Sequence, residues 1–123
     1  MRETIDWEQL EAVADGFCPD FLEIYEELLT EAGTLFEKLR GSLEAGNLRD
    51  VARLAHQLKG ALANFGFAEA ARFLRETELA VSASKLPPEI LQLITEAEAS
   101  YHAGVEEIRA HLQSLKESHP DPA

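Results

Sequence analysis

The chain has a single cysteine in 123 residues. Cys18 cannot form an internal disulfide, so packing must hold the fold, and the chain reads as intracellular. Its setting, Phe17-Cys18-Pro19-Asp20, is that of a helix junction and suits a small structural residue better than a reactive thiol. A signal peptide and an apolar run of about 18 residues are also missing. The expectation is a cytoplasmic protein with no membrane attachment. Positive charge is scarce, with 11 Lys and Arg against 23 Asp and Glu and a net charge of −12. A nucleic-acid surface needs clustered cations to displace counterions, so nucleic acid is excluded as a partner. No internal repeat, low-complexity run or strand-like alternation of useful length occurs. Helical bundles can house di-metal centres built from paired Glu-x-x-His motifs. Here the residues three before His56, His102, His111 and His119 are Arg53, Ala99, Ile108 and Lys116, so no metal site is expected.

What is present is helical periodicity. With 46% hydrophobic and 28% charged residues, the chain can bury one core without staples. A short first helix is expected from Asp6, as N-cap, to Ala14, ending at Asp15-Gly16. A long second one should run from Pro19-Asp20 to about Ala45, with Phe21, Ile24, Tyr25, Leu28, Leu35, Phe36, Leu39 and Leu43 at helical spacing. Gly46-Asn47 breaks it. The third spans Leu48 to Asn64 and ends before Gly66. The fourth spans Ala68 to Val81, with Ala71, Leu74 and Val81 inward. The last opens at Pro87-Pro88 and reaches about Lys116, with Ile90, Ile94, Ala97, Tyr101, Ile108, Leu112 and Leu115 along one stripe. Short connections make neighbours antiparallel. The expected fold is all-α, an antiparallel up-down four-helix bundle with a short extra N-terminal helix. It forms one domain over residues 1–117, followed by a disordered tail over 118–123.

One residue of the third helix stands apart. At about 100° per residue, Val51, Leu54, Leu58, Ala61, Leu62 and Phe65 lie opposite His56, while Arg49, Arg53, Gly60 and Ala63 lie beside it. His56 therefore faces water, and an exposed imidazole, with an ordinary pKa near about 6.5, can act as a nucleophile near neutral pH. Lys59, three residues on, shares its face and can offer positive charge to phosphate oxygens. Gly60 costs a helix roughly 1 kcal/mol against alanine, which suggests a use. With no side chain there, and only methyls at Ala52 and Ala63, another protein's backbone can approach. Charge is distributed to match. Between Lys38 and Arg75 seven basic residues face three acidic ones, whereas the rest of the chain carries four basic and twenty acidic. The local field around His56 attracts an acidic pocket and repels other copies of the chain, so a monomer is expected. For Lys38, Arg40 and Arg72 an ordinary solvated helix face remains the competing reading.

His56-Gln57-Leu58-Lys59-Gly60, with a second glycine at Gly66, resembles the signature of histidine-containing phosphotransfer (HPt) domains, and the helices around it extend the likeness over nearly the whole chain. The resemblance implies a four-helix bundle whose histidine carries a phosphoryl group between receiver domains of a two-component phosphorelay. Its partners would be response-regulator receivers and a hybrid sensor histidine kinase. The chain would need no cofactor of its own, because the Mg²⁺ and the aspartate would both belong to the receiver. Ala61 stands where the family commonly has a small hydroxyl residue, which removes one possible hydrogen bond. No ATP-binding glycine motif is present, so phosphate must come from a partner, and the chain is not expected to be an enzyme.

A further member of the site follows from hairpin geometry. If the third and fourth helices turn near Gly66, the residue opposite His56 falls near Glu76 to Glu78. A carboxylate at Glu78 can accept the Nδ1 proton and leave Nε2 as the nucleophile, and HPt domains often carry an amide or carboxylate there. A solvated, idle Glu78 is the competing reading. The candidate set is thus His56 as phosphoacceptor, Lys59 as phosphate charge and Glu78 as imidazole orienter, with Arg53, Gly60 and Ala63 as the docking surface for a receiver. The functional alternative is a non-phosphorylated helical adaptor that binds a receiver or a partner helix through the same face. Such an adaptor needs neither His56 nor Lys59.

Overall fold

The structure is a computed structural model and describes residues 3–118. Its elements are α1 (Trp7–Ala14), a 3₁₀ turn (Asp15–Phe17), α2 (Pro19–Glu44), α3 (Leu48–Asn64), α4 (Ala68–Ser82) and α5 (Pro87–Ser118). The boundaries have local causes. The Asp6 side chain accepts the Gln9 N–H at 3.1 Å and opens α1. Pro19, with its fixed φ and missing N–H, opens α2. Asn47 caps α3 by accepting the Asp50 N–H at 3.2 Å. Ser118, expected as the first residue of a tail, closes α5, and residues 119–123 lie outside the described residues.

Helices α2 to α5 form the antiparallel four-helix bundle, each packing on its neighbours in sequence and α2 closing against α5. Phe36, Leu39, Leu58, Leu62, Leu74, Ile90 and Ile94 are fully buried along its axis. Helix length shapes the rest. With 26 and 32 residues, α2 and α5 outrun α3 and α4, which have 17 and 15. Beyond the α3–α4 turn the two long helices project as a pair. The short α1 fills the space beneath them, burying Leu10 and Ala14, with Ile5 just before it packed on the same core.

Gly66 makes that closure possible. At φ +84° it adopts a left-handed turn, and a Cβ there would stand 2.7 Å from the Asp6 carbonyl oxygen. The same backbone accepts the Asp6 N–H at 2.7 Å, fixing the entrance of α1 to the α3–α4 turn. Polar ties between helices include Arg40 Nε donating to Glu98 Oε1 at 3.0 Å between α2 and α5, and Ser100 Oγ donating to Glu69 at 2.8 Å between α5 and α4.

Some stripe residues depart from expectation. Ile24 is 53% exposed, because its side of α2 faces the region that α3, ending at Asn64, does not reach. Ala61, Phe65, Val81, Leu112 and Leu115 are half-buried, at the edges of their stripes or on the overhanging end of α5.

Candidate functional site

His56 lies midway along α3, its side chain 72% exposed. The hydrophobic face of α3, with Val51, Leu54, Leu58 and Leu62 buried, fixes the helix's rotation and so turns position 56 outward. Glu78 approaches from α4. Its Oε1 lies 2.9 Å from His56 Nδ1, and its Oε2 accepts from Lys59 Nζ at 2.6 Å. One carboxylate therefore holds both α3 side chains, one on each oxygen. Glu78 and Lys59 are far less exposed than the histidine, at 22% and 28%.

The electrostatics follow from this placement. Burial alone would push the Glu78 carboxyl up, but the hydrogen bonds and positive charge of Lys59 and His56 outweigh it and hold its pKa below the ordinary carboxylate value. An ionised Glu78 can only accept, so the Nδ1–H donates and the proton of a neutral ring resides on Nδ1. Nε2, on the far side of the ring, keeps its lone pair. The arrangement presents an oriented nitrogen nucleophile at an open surface.

Of the six candidate residues, the structure brings His56, Lys59 and Glu78 into one hydrogen-bonded group. Arg53, Gly60 and Ala63 share the exposed face of α3, outside that group. A Cβ added at Gly60 would meet no atom within 4 Å, so the backbone there is bare. Arg53 leans back toward Asp50, with Nε 3.5 Å from Oδ1. The orientation of Lys59 was not foreseen. Its ammonium is turned across to α4, because a carboxylate at 2.6 Å holds it better than water does. Sequence reasoning also missed a groove of about 520 Å³ between α2 and α3, beside the histidine's helix face, to which Lys38, Arg53 and Gln57 contribute. Pairing Lys38 with Arg53 across the α2–α3 turn was the available signal. Among the described residues no three His, Cys, Asp or Glu side chains converge as metal ligands.

The site is thus a histidine presented from one helix of an antiparallel bundle and backed by a carboxylate from the next. The Hpt domain model matches residues 23–118, from the second turn of α2 to the end of α5. The chain belongs to the Hpt domain family. No curated protein and no solved structure matches it. Membership gives a histidine phosphotransfer role in two-component phosphorelays, alongside receiver domains. Among the described residues no helix is long and apolar enough to cross a membrane.

Proposed function

We propose that His56 accepts a phosphoryl group from the aspartyl phosphate of one receiver domain and passes it to the aspartate of another. The observation that carries this reading is the Nδ1···Glu78 contact of 2.9 Å on a ring that is otherwise 72% exposed. The Nε2 lone pair attacks phosphorus in line, a P–N bond forms, and the P–O bond to the receiver's aspartate breaks, returning its carboxylate. The proton on Nδ1 stays, so the phosphorylated ring is cationic, and the Glu78 carboxylate stabilises that charge. The second transfer runs the same steps in reverse toward a new aspartate. The receiver supplies the Mg²⁺. Lys59, bound to Glu78 in the unphosphorylated site, supplies charge near the transferring group. Gly60 and Ala63 leave room for the receiver's backbone, and Arg53 offers it a cation. A hybrid sensor histidine kinase would feed the first receiver.

The test is incubation of the chain with a panel of phosphorylated receivers. The expected result is a label stable to base, lost in acid, and absent from His56→Gln. Labelling that persists in His56→Gln overturns His56 as the acceptor, whereas no labelling by any receiver favours the adaptor.

A further inference from the structure

The overhang of α2 and α5 creates a second feature on the seam opposite His56. Between the first half of α2 and the last part of α5 lies a groove of about 770 Å³, within the range that holds small molecules. Leu22 and Leu29 wall it on one side and Val105 and Leu112 on the other.

Tyr25 contributes to its lining and is unusual. It is 6% exposed, yet its hydroxyl finds no hydrogen-bond partner among the described residues. The ring stacks on Phe21 at 5.9 Å, packing that a phenylalanine would reproduce. The nearby Leu29 carbonyl already accepts from Tyr101 Oη at 3.4 Å. Burial, reinforced by Tyr101 and opposed by Arg109, holds the Tyr25 hydroxyl protonated far above its ordinary range, so it is a committed donor without an acceptor. An unused buried donor is costly to the folded state, which points to a partner from outside.

The lining also carries charge. Arg109 and Lys116 lie on α5, against Glu26 on α2. Arg109 is held by a pair to Glu106 at 3.1 Å in which both side chains are about two-thirds exposed, an arrangement easily exchanged for another carboxylate.

We propose that this groove binds an amphiphilic monocarboxylate of the medium-chain fatty-acid class. The alkyl chain lies along the leucine and valine walls. The carboxylate pairs with Arg109, which swings from Glu106 to admit it, and accepts from Tyr25 Oη, which is sealed in the free structure and is reached only as the groove opens, while Lys116 adds favourable charge. Glu26 limits the site to a single negative charge. The site uses none of the residues assigned to phosphotransfer, so it stands or falls independently of that reading.

Decanoate, kept below its aggregation concentration, is the probe, titrated into the ¹⁵N-labelled chain and followed by amide chemical shifts. Expected are saturable shifts confined to the first half of α2 and the last part of α5, with decanol binding more weakly. Tyr25→Phe should lower decanoate affinity roughly tenfold while leaving thermal stability equal or higher, because the free protein loses only an unpartnered hydroxyl. Arg109→Gln should weaken binding similarly. The proposal is overturned if binding is not saturable, if the shifts map elsewhere, or if decanol binds as tightly as decanoate. It is equally overturned if either variant binds decanoate as wild type does, or if Tyr25→Phe is destabilised, since the hydroxyl then serves the free fold.

Discussion

At His56 the chemistry is set by what stands behind the ring. Glu78 holds Nδ1, and Lys59 holds Glu78, so replacing Lys59 acts twice: it removes a charge near the phosphoryl group and loosens the orienting carboxylate. Lys59→Ala should slow transfer from a receiver by about tenfold or somewhat more and leave the helical circular dichroism unchanged. A wild-type rate would show that this charge takes no part. Gly60 works by absence. Gly60→Gln gains helix propensity, about 0.5–1 kcal/mol, in open space, yet places a side chain about one turn from His56. Stability should hold or rise while receiver-dependent transfer falls sharply and labelling by a small donor such as phosphoramidate falls far less. Glu78 adds a pH dependence. Its folded pKa lies below its ordinary value of 4.5, so its contribution to stability is complete above that value and is lost as pH falls through the folded pKa. The melting-temperature gap between wild type and Glu78→Gln should therefore shrink as pH falls below the ordinary value of 4.5 and on through the lower folded pKa. A gap that widens on acidification would reverse the sign.

At the scale of elements, the α3–α4 hairpin builds the site, and its turn also anchors α1. Gly66→Ala forces a Cβ into a left-handed turn and against the Asp6 carbonyl at 2.7 Å. The cost should be at least about 2 kcal/mol, read as a lower midpoint in urea unfolding. A midpoint equal to wild type would mean that α1 is not held there. Much of this level was legible in sequence, because punctuation and period agree: Asp6, Pro19, Asn47 and Gly66 mark ends that capping chemistry enforces, and counting from the Gly66 turn puts Glu76 to Glu78 opposite His56. The rest depended on three-dimensional neighbours. The burial of Ile24 was misread because periodicity cannot show where a partner helix stops. Lys59 was expected to face solvent because a wheel does not record the rotamer that a carboxylate on another helix selects.

Over the whole molecule, the two long helices and two short ones explain both ends of the bundle. One half, fully four-helical, presents His56. The other, carried by α2 and α5 with α1 beneath, leaves the groove at Tyr25. The unequal helix lengths behind the overhang were legible in the sequence, but the groove they leave between α2 and α5 depends on packing in three dimensions. Charge divides unevenly along the chain as well: the segment holding His56 is net basic within a chain of net charge −12, which favours approach by an acidic receiver pocket over a nucleic acid or a second copy. All of this converges on one atom, Nε2 of His56. The most direct measurement is ³¹P and ¹⁵N NMR of the chain phosphorylated by its receiver, which assigns the phosphoryl group to a nitrogen. A single phosphohistidine with the P–N bond at Nε2 of His56 and the proton retained on Nδ1 is the predicted result. Phosphate on Nδ1, or on another residue while His56 stays unmodified, would contradict it.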